Sequence, residues 1–301
     1  MIISASRRTD IPAFYPGWFM NRIKAGYVDI ANPINPSQRR SIDLNPESVD
    51  AIVFWTRNPV PLFKHLDDLD NRGYKYIFLY TITGYPRELE ENLPPLKAAV
   101  DTFRKLSDRI GTRPIIWRYD PIILSSSTNE KFHLENFQNI AKELSGYTKR
   151  VIISFVDLYK KVQSRFMKLG NEKGIRFFDM NQEICNKIAS RFRQISESHG
   201  MQVQSCAEET DLSAPGVKPG ACIDSDCINE IFNLEIPYKK DTGQRRKCLC
   251  AQSVDIGAYN TCGYRCMYCY AVTSFEKSAE NMIRIDKNGS SLYVNKEDRD
   301  I

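Results

Sequence analysis

The segment Ala251-Gln-Ser-Val-Asp-Ile256 has the pattern of a short β-strand, and the loop Cys262-Gly-Tyr-Arg-Cys266-Met-Tyr-Cys269-Tyr270 comes directly after it. Three thiols separated by three and then two residues suit an iron–sulfur cubane that keeps one iron without a protein ligand. Four thiolates would close such a cluster, as in electron carriers. Three leave a site to which a substrate or S-adenosylmethionine can bind through its amine and carboxylate. The loop therefore predicts a metal centre at Cys262, Cys266 and Cys269.

Other thiol sites fit this spacing less well. Structural zinc usually takes four ligands, often from two Cys-x2-Cys pairs or with His, and only Cys266 and Cys269 form such a pair. The chain has three His, and none of them is next to the loop. Bacterial ferredoxin loops use a different order of spacings. Thiols that cluster by chance are the remaining alternative.

Upstream of this segment, short apolar runs alternate with longer stretches of helical period, which is typical of βα units around a parallel sheet. Apolar stripes such as Leu62, Leu66 and Leu69 predict helices between the runs, and Asn45 followed by Pro46 predicts another helix start. We therefore predict an α/β fold of the incomplete (β/α) TIM-like barrel type. The predicted strands cover residues 2–6, 51–55, 76–81, 114–119, 150–155 and 201–206.

Polar or aromatic clusters follow each predicted strand. In parallel barrels the carboxyl ends of the strands hold the active site, so these clusters are predicted to meet at one mouth. The alternative is that loops are polar in any fold and cap helices. The clusters cover residues 7–10, 56–58, 81–85, 118–120, 154–157 and 208–209.

A run rich in Pro and Gly at residues 210–220 predicts a boundary. We predict a partial (β/α) barrel over residues 1–209, a Cys-rich cluster-binding region that completes the barrel over 210–281, and a polar tail over 282–301. A short helix is predicted after Asp224. The basic run at 239–247 permits contact with phosphate or nucleic acid, although a solvated loop is the simpler explanation.

Composition sets further limits. The formal charge is +5, from 42 basic and 37 acidic residues, which is too small to require a nucleic-acid partner. No segment is long and apolar enough to span a membrane, and the amino terminus lacks a signal-peptide pattern, so we expect a cytoplasmic protein. In that reducing compartment the nine Cys are not expected to form disulfides. Eight of them lie between Cys206 and Cys269, which favours metal binding.

A second group of thiols lies upstream of the first loop. Cys206 ends a predicted strand, Cys222 follows the boundary, and Cys248-Leu-Cys250 points two thiols to one side of an extended chain. We predict that these four hold an auxiliary iron–sulfur cluster. Zinc is the alternative, since four thiolates suit it equally well.

Two other Cys are predicted to pack in the core. Cys227 falls within the short helix one turn before Ile231, and Cys185 lies at the edge of the apolar stripe that includes Ile188. Free Cys often behaves as a small buried apolar residue.

The run at residues 260–271 resembles the Cys-x3-Cys-x2-Cys loop of radical S-adenosylmethionine enzymes, especially the spore-photoproduct-lyase-like branch. The whole chain is similar to a bacterial domain-of-unknown-function family that carries this loop at its carboxyl end, from Ser4-Ala-Ser-Arg-Arg-Thr-Asp10 through Asp255-Ile-Gly-Ala-Tyr-Asn260. Radical enzymes mostly carry the loop after their first strand. The late strand is therefore expected beside residues 2–6, as in a circularly permuted barrel.

The resemblance implies a [4Fe-4S] cluster with S-adenosylmethionine on its fourth iron. Reductive cleavage would give a 5′-deoxyadenosyl radical for hydrogen abstraction from a substrate that the sequence does not identify, with flavodoxin or ferredoxin as the electron donor. Tyr268 would pack near the adenine, and Arg118, Asp120 and Glu208 are candidates for binding the ribose, the carboxylate or the substrate. The Cys-Ala-Glu, Cys-Ile-Asp and Cys-x-Cys segments point to the auxiliary cluster.

Two other classes of function stay open. One is a non-catalytic iron–sulfur or zinc protein that binds nucleic acid through the basic run. The other is a metal-independent barrel hydrolase that uses Asp and Arg at the mouth. The hydrolase has the least support, because no nucleophile–His–acid spacing or phosphate-binding Gly motif is present.

Overall fold

The computed structural model describes residues 1–32, 35 and 37–292, and these form ten strands and ten helices. The strands are β1 (Ile2–Ala5), β2 (Tyr27–Ala31), β3 (Arg39–Asp43), β4 (Ala51–Thr56), β5 (Tyr76–Thr81), β6 (Ile115–Ile122), β7 (Arg150–Phe155), β8 (Gln202–Cys206), β9 (Lys218–Gly220) and β10 (Ser253–Asp255). The helices are α1 (Ile11–Phe14), α2 (Pro16–Ala25), α3 (Val60–Phe63), α4 (Leu66–Asn71), α5 (Leu96–Ile110), α6 (Glu130–Leu144), α7 (Lys160–Lys173), α8 (Gln182–Ser198), α9 (Ser225–Phe232) and α10 (Phe275–Arg284).

Eight strands belong to one mostly parallel sheet, in the order β10-β1-β4-β5-β6-β7-β8-β9. Strands β5 to β9 pair with their neighbours in parallel. Strands β2 and β3 form a separate antiparallel pair. The predicted α/β class with a parallel sheet is confirmed, and the six strands predicted before residue 210 are all present. Strand β6 extends three residues beyond its predicted end.

The late strand β10 pairs in parallel with the first strand β1. Ile2 lies opposite Ser253, and Ser4 lies opposite Asp255. On its other side β1 pairs in parallel with β4. The expectation that the last strand lies beside the first is therefore confirmed.

The prediction that a helix begins at Asn45 is wrong. The chain makes a turn there, in which Ser48 N donates to Asn45 O at 2.9 Å. The Asp43 carboxylate accepts from the backbone and side-chain nitrogens of Asn45, each at 2.8 Å, and from the Ser48 hydroxyl. Asp43 thus holds Asn45 and Ser48 through side-chain contacts, and the segment that follows Asn45 is a turn.

The helices of the central part follow their apolar stripes. Helix α5 buries Val100, Phe103 and Leu106 at helical spacing, and α9 begins after Asp224 as predicted, with the Asp224 carboxylate accepting from Cys227 N at 3.1 Å. Buried aromatic rings fill the core beside β6, where Phe137 of α6 stacks on Phe192 of α8 with ring centroids 3.8 Å apart. Both rings are fully buried. None of the described helices is long and apolar enough to cross a membrane.

Contacts divide the described chain into two compact units. The first comprises residues 1–77, 253–265 and those from 269 onward, and the second comprises residues 78–252 and 266–268. The organisation predicted from the sequence, with segments 1–209, 210–281 and 282–301, stays a prediction. Residues 293–301 of the predicted tail lie outside the described residues.

Candidate metal centre

Asp255 fixes the start of the thiol loop in the first unit. Its carboxylate accepts four hydrogen bonds: from Ser4 Oγ at 3.0 Å, Ser6 Oγ at 2.6 Å, Arg7 N at 2.8 Å and Gly257 N at 3.0 Å. A Cβ at Gly257 would lie 2.1 Å from Ser6 Oγ, so the close approach requires glycine. The exit from β10 is thereby joined to the exit from β1.

Asn260 closes the thiol loop on itself. Its backbone N donates to Ala271 O at 3.0 Å, and its side-chain oxygen accepts from Thr273 N at 2.5 Å. Asn281 of α10 donates to Asn260 O at 2.9 Å. Asn260 has φ +58°, a conformation that asparagine tolerates better than most residues. The chain therefore enters and leaves the loop at one point.

Hydroxyl groups hold the backbone around Cys262. Thr261 O accepts from Thr9 Oγ1 at 2.9 Å and from Tyr15 OH at 2.5 Å, while Ser278 Oγ of α10 donates to Cys262 O at 2.8 Å. Burial, followed by the charge of the nearby Cys262 thiolate, raises the pKa of Tyr15. Tyr15 therefore stays a protonated donor at physiological pH.

Arg265 sets the backbone direction between the first two thiols. It has φ +57°, a left-handed conformation that is costly for a residue with a side chain. Its guanidinium lies over the Phe275 ring, 4.8 Å from the centroid. Further along the loop, Tyr270 OH donates to Arg7 O at 2.8 Å.

Residues Cys266 to Tyr268 belong to the second unit, where Glu90 anchors them. The backbones of Glu90 and Cys266 form an antiparallel bridge. The Glu90 carboxylate, 4% exposed, accepts from Tyr268 OH and from Thr83 Oγ1. The Tyr268 ring also packs edge-on against Tyr85, with centroids 6.2 Å apart. A buried carboxylate thus fixes the tyrosine that precedes the third thiol.

Three of these anchors were not predicted as site residues. The local sequence gives a hint of two of them. Asp255 stands at a strand end directly before Ile-Gly257, and Asn260 is a residue type that tolerates positive φ. Glu90 has no such hint, because Glu88 and Glu91 flank it in the same acidic run.

The structure brings Arg118, Asp120 and Glu208 together at the carboxyl ends of β6 to β8, in the second unit. Arg118 forms an ion pair with Asp120, and Ser154 Oγ also donates to Asp120. Glu208 accepts from Phe155 N at 2.9 Å. Burial, with help from nearby acidic groups that include Asp120, raises the pKa of Glu208 to about 8. The group offers one cation and two carboxyl groups.

The second group of thiols is also assembled within the second unit. Cys222 Sγ lies 3.1 Å from Cys206 Sγ, and the Cys250 thiol contacts those of both Cys222 and Cys248. All four side chains are at most 9% exposed. The neighbouring thiols, together with burial, raise the pKa of Cys222. Among the described residues, no three or more His, Cys, Asp or Glu side chains are arranged to hold a metal ion.

Cys227 and Cys185 lie elsewhere. Cys227 of α9 has Arg150 and Asp224 as charged neighbours, and burial raises its pKa. Cys185 is buried in α8, and burial raises its pKa to about 11. Cys227 is half-buried and Cys185 buried, and their packing roles stay predictions.

Residues of the basic run at 239–247 make polar contacts within the second unit. Arg245 forms an ion pair with Asp157, and Lys240 Nζ donates to Arg246 O at 2.8 Å. These contacts agree better with a structured loop than with a surface reserved for phosphate.

The family model for DUF1848, a domain of unknown function, matches residues 2–271. The chain belongs to the DUF1848 family. The matched span includes β10, the thiol loop and every Cys of this DUF1848 protein. None of the curated proteins matches it. Among solved structures, a crystal structure of D-hydantoinase is 14% identical to this chain, with a TM-score of 0.29. The match covers 68% of this chain and 41% of the D-hydantoinase chain. The DUF1848 chain thus spans under half the length of that structure, and the likeness carries no argument about its function.

Proposed function

We propose that this DUF1848 protein is an iron–sulfur enzyme of the radical S-adenosylmethionine type, with a [4Fe-4S] cluster on Cys262, Cys266 and Cys269. The parallel pairing of β10 with β1 carries the proposal. Because of it, the thiol loop leaves the carboxyl end of a strand beside the first strand, although it comes late in the chain. The corresponding architecture is an incomplete, circularly permuted (β/α) barrel, whose active site lies at the carboxyl ends of its strands.

The donor set fits a cluster with one open iron. Cys266 is 8% exposed, and Cys262 and Cys269 are half-buried. Three thiolates leave the fourth iron for an external ligand. When bound, the cluster would supply one electron to cleave S-adenosylmethionine into methionine and a 5′-deoxyadenosyl radical able to abstract hydrogen from a substrate. Flavodoxin or ferredoxin is the proposed electron donor.

Residues of this chain position the loop and its ligands. Glu90 holds the Tyr268 hydroxyl, so that the ring keeps one orientation and can pack against an adenine. Arg118 can donate to a carboxylate, and Asp120 and Glu208 can accept from hydroxyl groups, which are the contacts that a ribose, an amino acid moiety or a polar substrate requires.

Anaerobic reconstitution with iron and sulfide tests the proposal. The reduced wild-type protein should give an electron paramagnetic resonance signal that shifts on addition of S-adenosylmethionine, and 5′-deoxyadenosine should accumulate with reductant. Both should be lost in Cys266→Ala and kept in Cys185→Ala, which removes a buried thiol of the core. An unchanged signal shift and unchanged 5′-deoxyadenosine in Cys266→Ala would show that the loop is not the cluster site.

A further inference from the structure

We propose that Cys206, Cys222, Cys248 and Cys250 hold a single tetrahedral metal ion of the zinc class. This inference is independent of the cluster proposed for the Cys262 loop, since all four thiols lie in the second unit and come from other segments. It favours zinc over the iron–sulfur cluster that the sequence predicted for these residues.

Backbone pairing brings the four thiols together. Cys206 ends β8, where it lies opposite Gly220 of β9, and Cys222 follows two residues later. Ala251 N donates to Ile223 O at 2.8 Å, which places Cys250 beside Cys222. Cys248 lies two residues before Cys250 and contacts its thiol. Three separate segments therefore deliver the thiols to one buried place.

The surroundings of the thiols differ from those of a packed core cysteine. A buried Cys normally packs as a small apolar residue, but these thiols face one another. Ile223 N donates to Cys250 Sγ at 3.4 Å, the kind of outer contact that supports a metal ligand. Arg118 and Arg245 lie near Cys222 and Cys206 respectively, and each is also in an ion pair, with Asp120 and Asp157.

The spacing of the sulfur atoms distinguishes one ion from a cluster. Zinc–sulfur bonds of about 2.3 Å in a tetrahedron put neighbouring sulfur atoms about 3.8 Å apart. Cys206 Sγ and Cys222 Sγ are 3.1 Å apart, so an ion has to separate them by only about 0.7 Å. The thiolates of a four-iron cubane each bind a different iron, so the atoms of the cluster itself hold them much further apart. The Cys206–Cys222 pair is therefore closer to the ligand spacing of a single ion than to that of a cubane, and the thiols must still rearrange to surround the ion.

Cobalt(II) binding to the full chain tests this site. The protein used is the triple variant Cys262→Ser, Cys266→Ser, Cys269→Ser, which cannot form the cluster proposed above. We expect one cobalt per chain with the intense absorption bands of tetrahedral thiolate coordination, and displacement of cobalt by one zinc. Absence of these bands, or reconstitution of the triple variant with iron and sulfide in place of zinc, would overturn the proposal.

Single substitutions in that background identify the ligands. Cys222→Ser and Cys248→Ser should each lower zinc content at least tenfold, measured by elemental analysis after gel filtration. Cys227→Ser is the matched control, because this thiol lies on α9 among other neighbours, and it should keep one zinc. If Cys222→Ser does not fold, Cys248→Ser alone decides. Retention of zinc in Cys248→Ser, or equal loss in Cys227→Ser, would refute the assignment.

Discussion

Replacing Asp255 with alanine should destabilise the contacts between the ends of β10 and β1. The substitution removes the acceptor of four hydrogen bonds, two from hydroxyl groups and two from the backbone nitrogens of Arg7 and Gly257. The hydroxyl groups can turn towards other acceptors, whereas the backbone N–H groups cannot. An unsatisfied buried donor costs about 1–3 kcal/mol, and because both N–H groups are only part-buried we take the lower end for each, which destabilises this junction by about 2 kcal/mol. Asp255→Asn keeps one acceptor oxygen, and about half of that loss is expected.

Amide hydrogen exchange measures this effect at the residues concerned. A loss of about 2 kcal/mol in the free energy of opening corresponds to exchange of the Arg7 and Gly257 amides that is roughly 30-fold faster. Asp179→Ala is the control, because Asp179 is exposed and a surface substitution changes stability by less than about 0.5 kcal/mol. Exchange of both amides within fivefold of the wild-type rate in Asp255→Ala would refute the reasoning.

Three further predictions concern buried side chains. Burial raises the pKa of Asp10 from 3.8 to about 7, so the ionised group costs stability that the protonated group does not. As pH rises from 4 to 7, the free energy of unfolding should fall by up to about 4 kcal/mol relative to Asp10→Asn. The same pH dependence of the free energy of unfolding in urea for both proteins would contradict this. Burial lowers the pKa of His133 from 6.5 to about 4, so stability should instead fall by up to about 3 kcal/mol as pH falls from 6.5 to 4, a slope that His133→Gln should lack. Phe192→Ala should cost about 3–5 kcal/mol in urea unfolding, because its ring is fully buried against Phe137, and a loss below 1 kcal/mol would show that the core closes over the gap.

Strands β4 and β5 were predictable because each is an almost continuous buried run. The five residues Ile52, Val53, Ile77, Phe78 and Leu79 are almost completely buried, and no polar residue interrupts either run. The hairpin β2–β3 has no such pattern, since Ile42 is the one buried residue of β3. Strand β9 is a three-residue segment with Pro at its centre, which sequence patterns do not favour as a strand.

The candidate sites were predictable in part. The alternation of Cys248 and Cys250 and the strand end at Cys206 led to the prediction of a shared metal site with Cys222, which stays a prediction; in the structure the thiols lie near one another. The spacing between sulfur atoms arises from long-range pairing, and no sequence pattern expresses it. Glu90 holds Tyr268 from 178 residues away in the chain, which explains why its role had no local signal.

The pairing of β10 with β1 also has a consequence in time. Ribosomes add roughly 5–20 residues per second, so about 250 residues of synthesis separate Ile2 from its partner Ser253 by roughly 10–50 s. Throughout this interval the nascent chain presents one edge of its first strand without the partner that covers it in the finished protein. An exposed strand edge is a template for pairing with other chains. Slow translation or truncation before residue 253 should therefore promote aggregation. Strand β10 covers the edge of β1 that would otherwise be open to other chains.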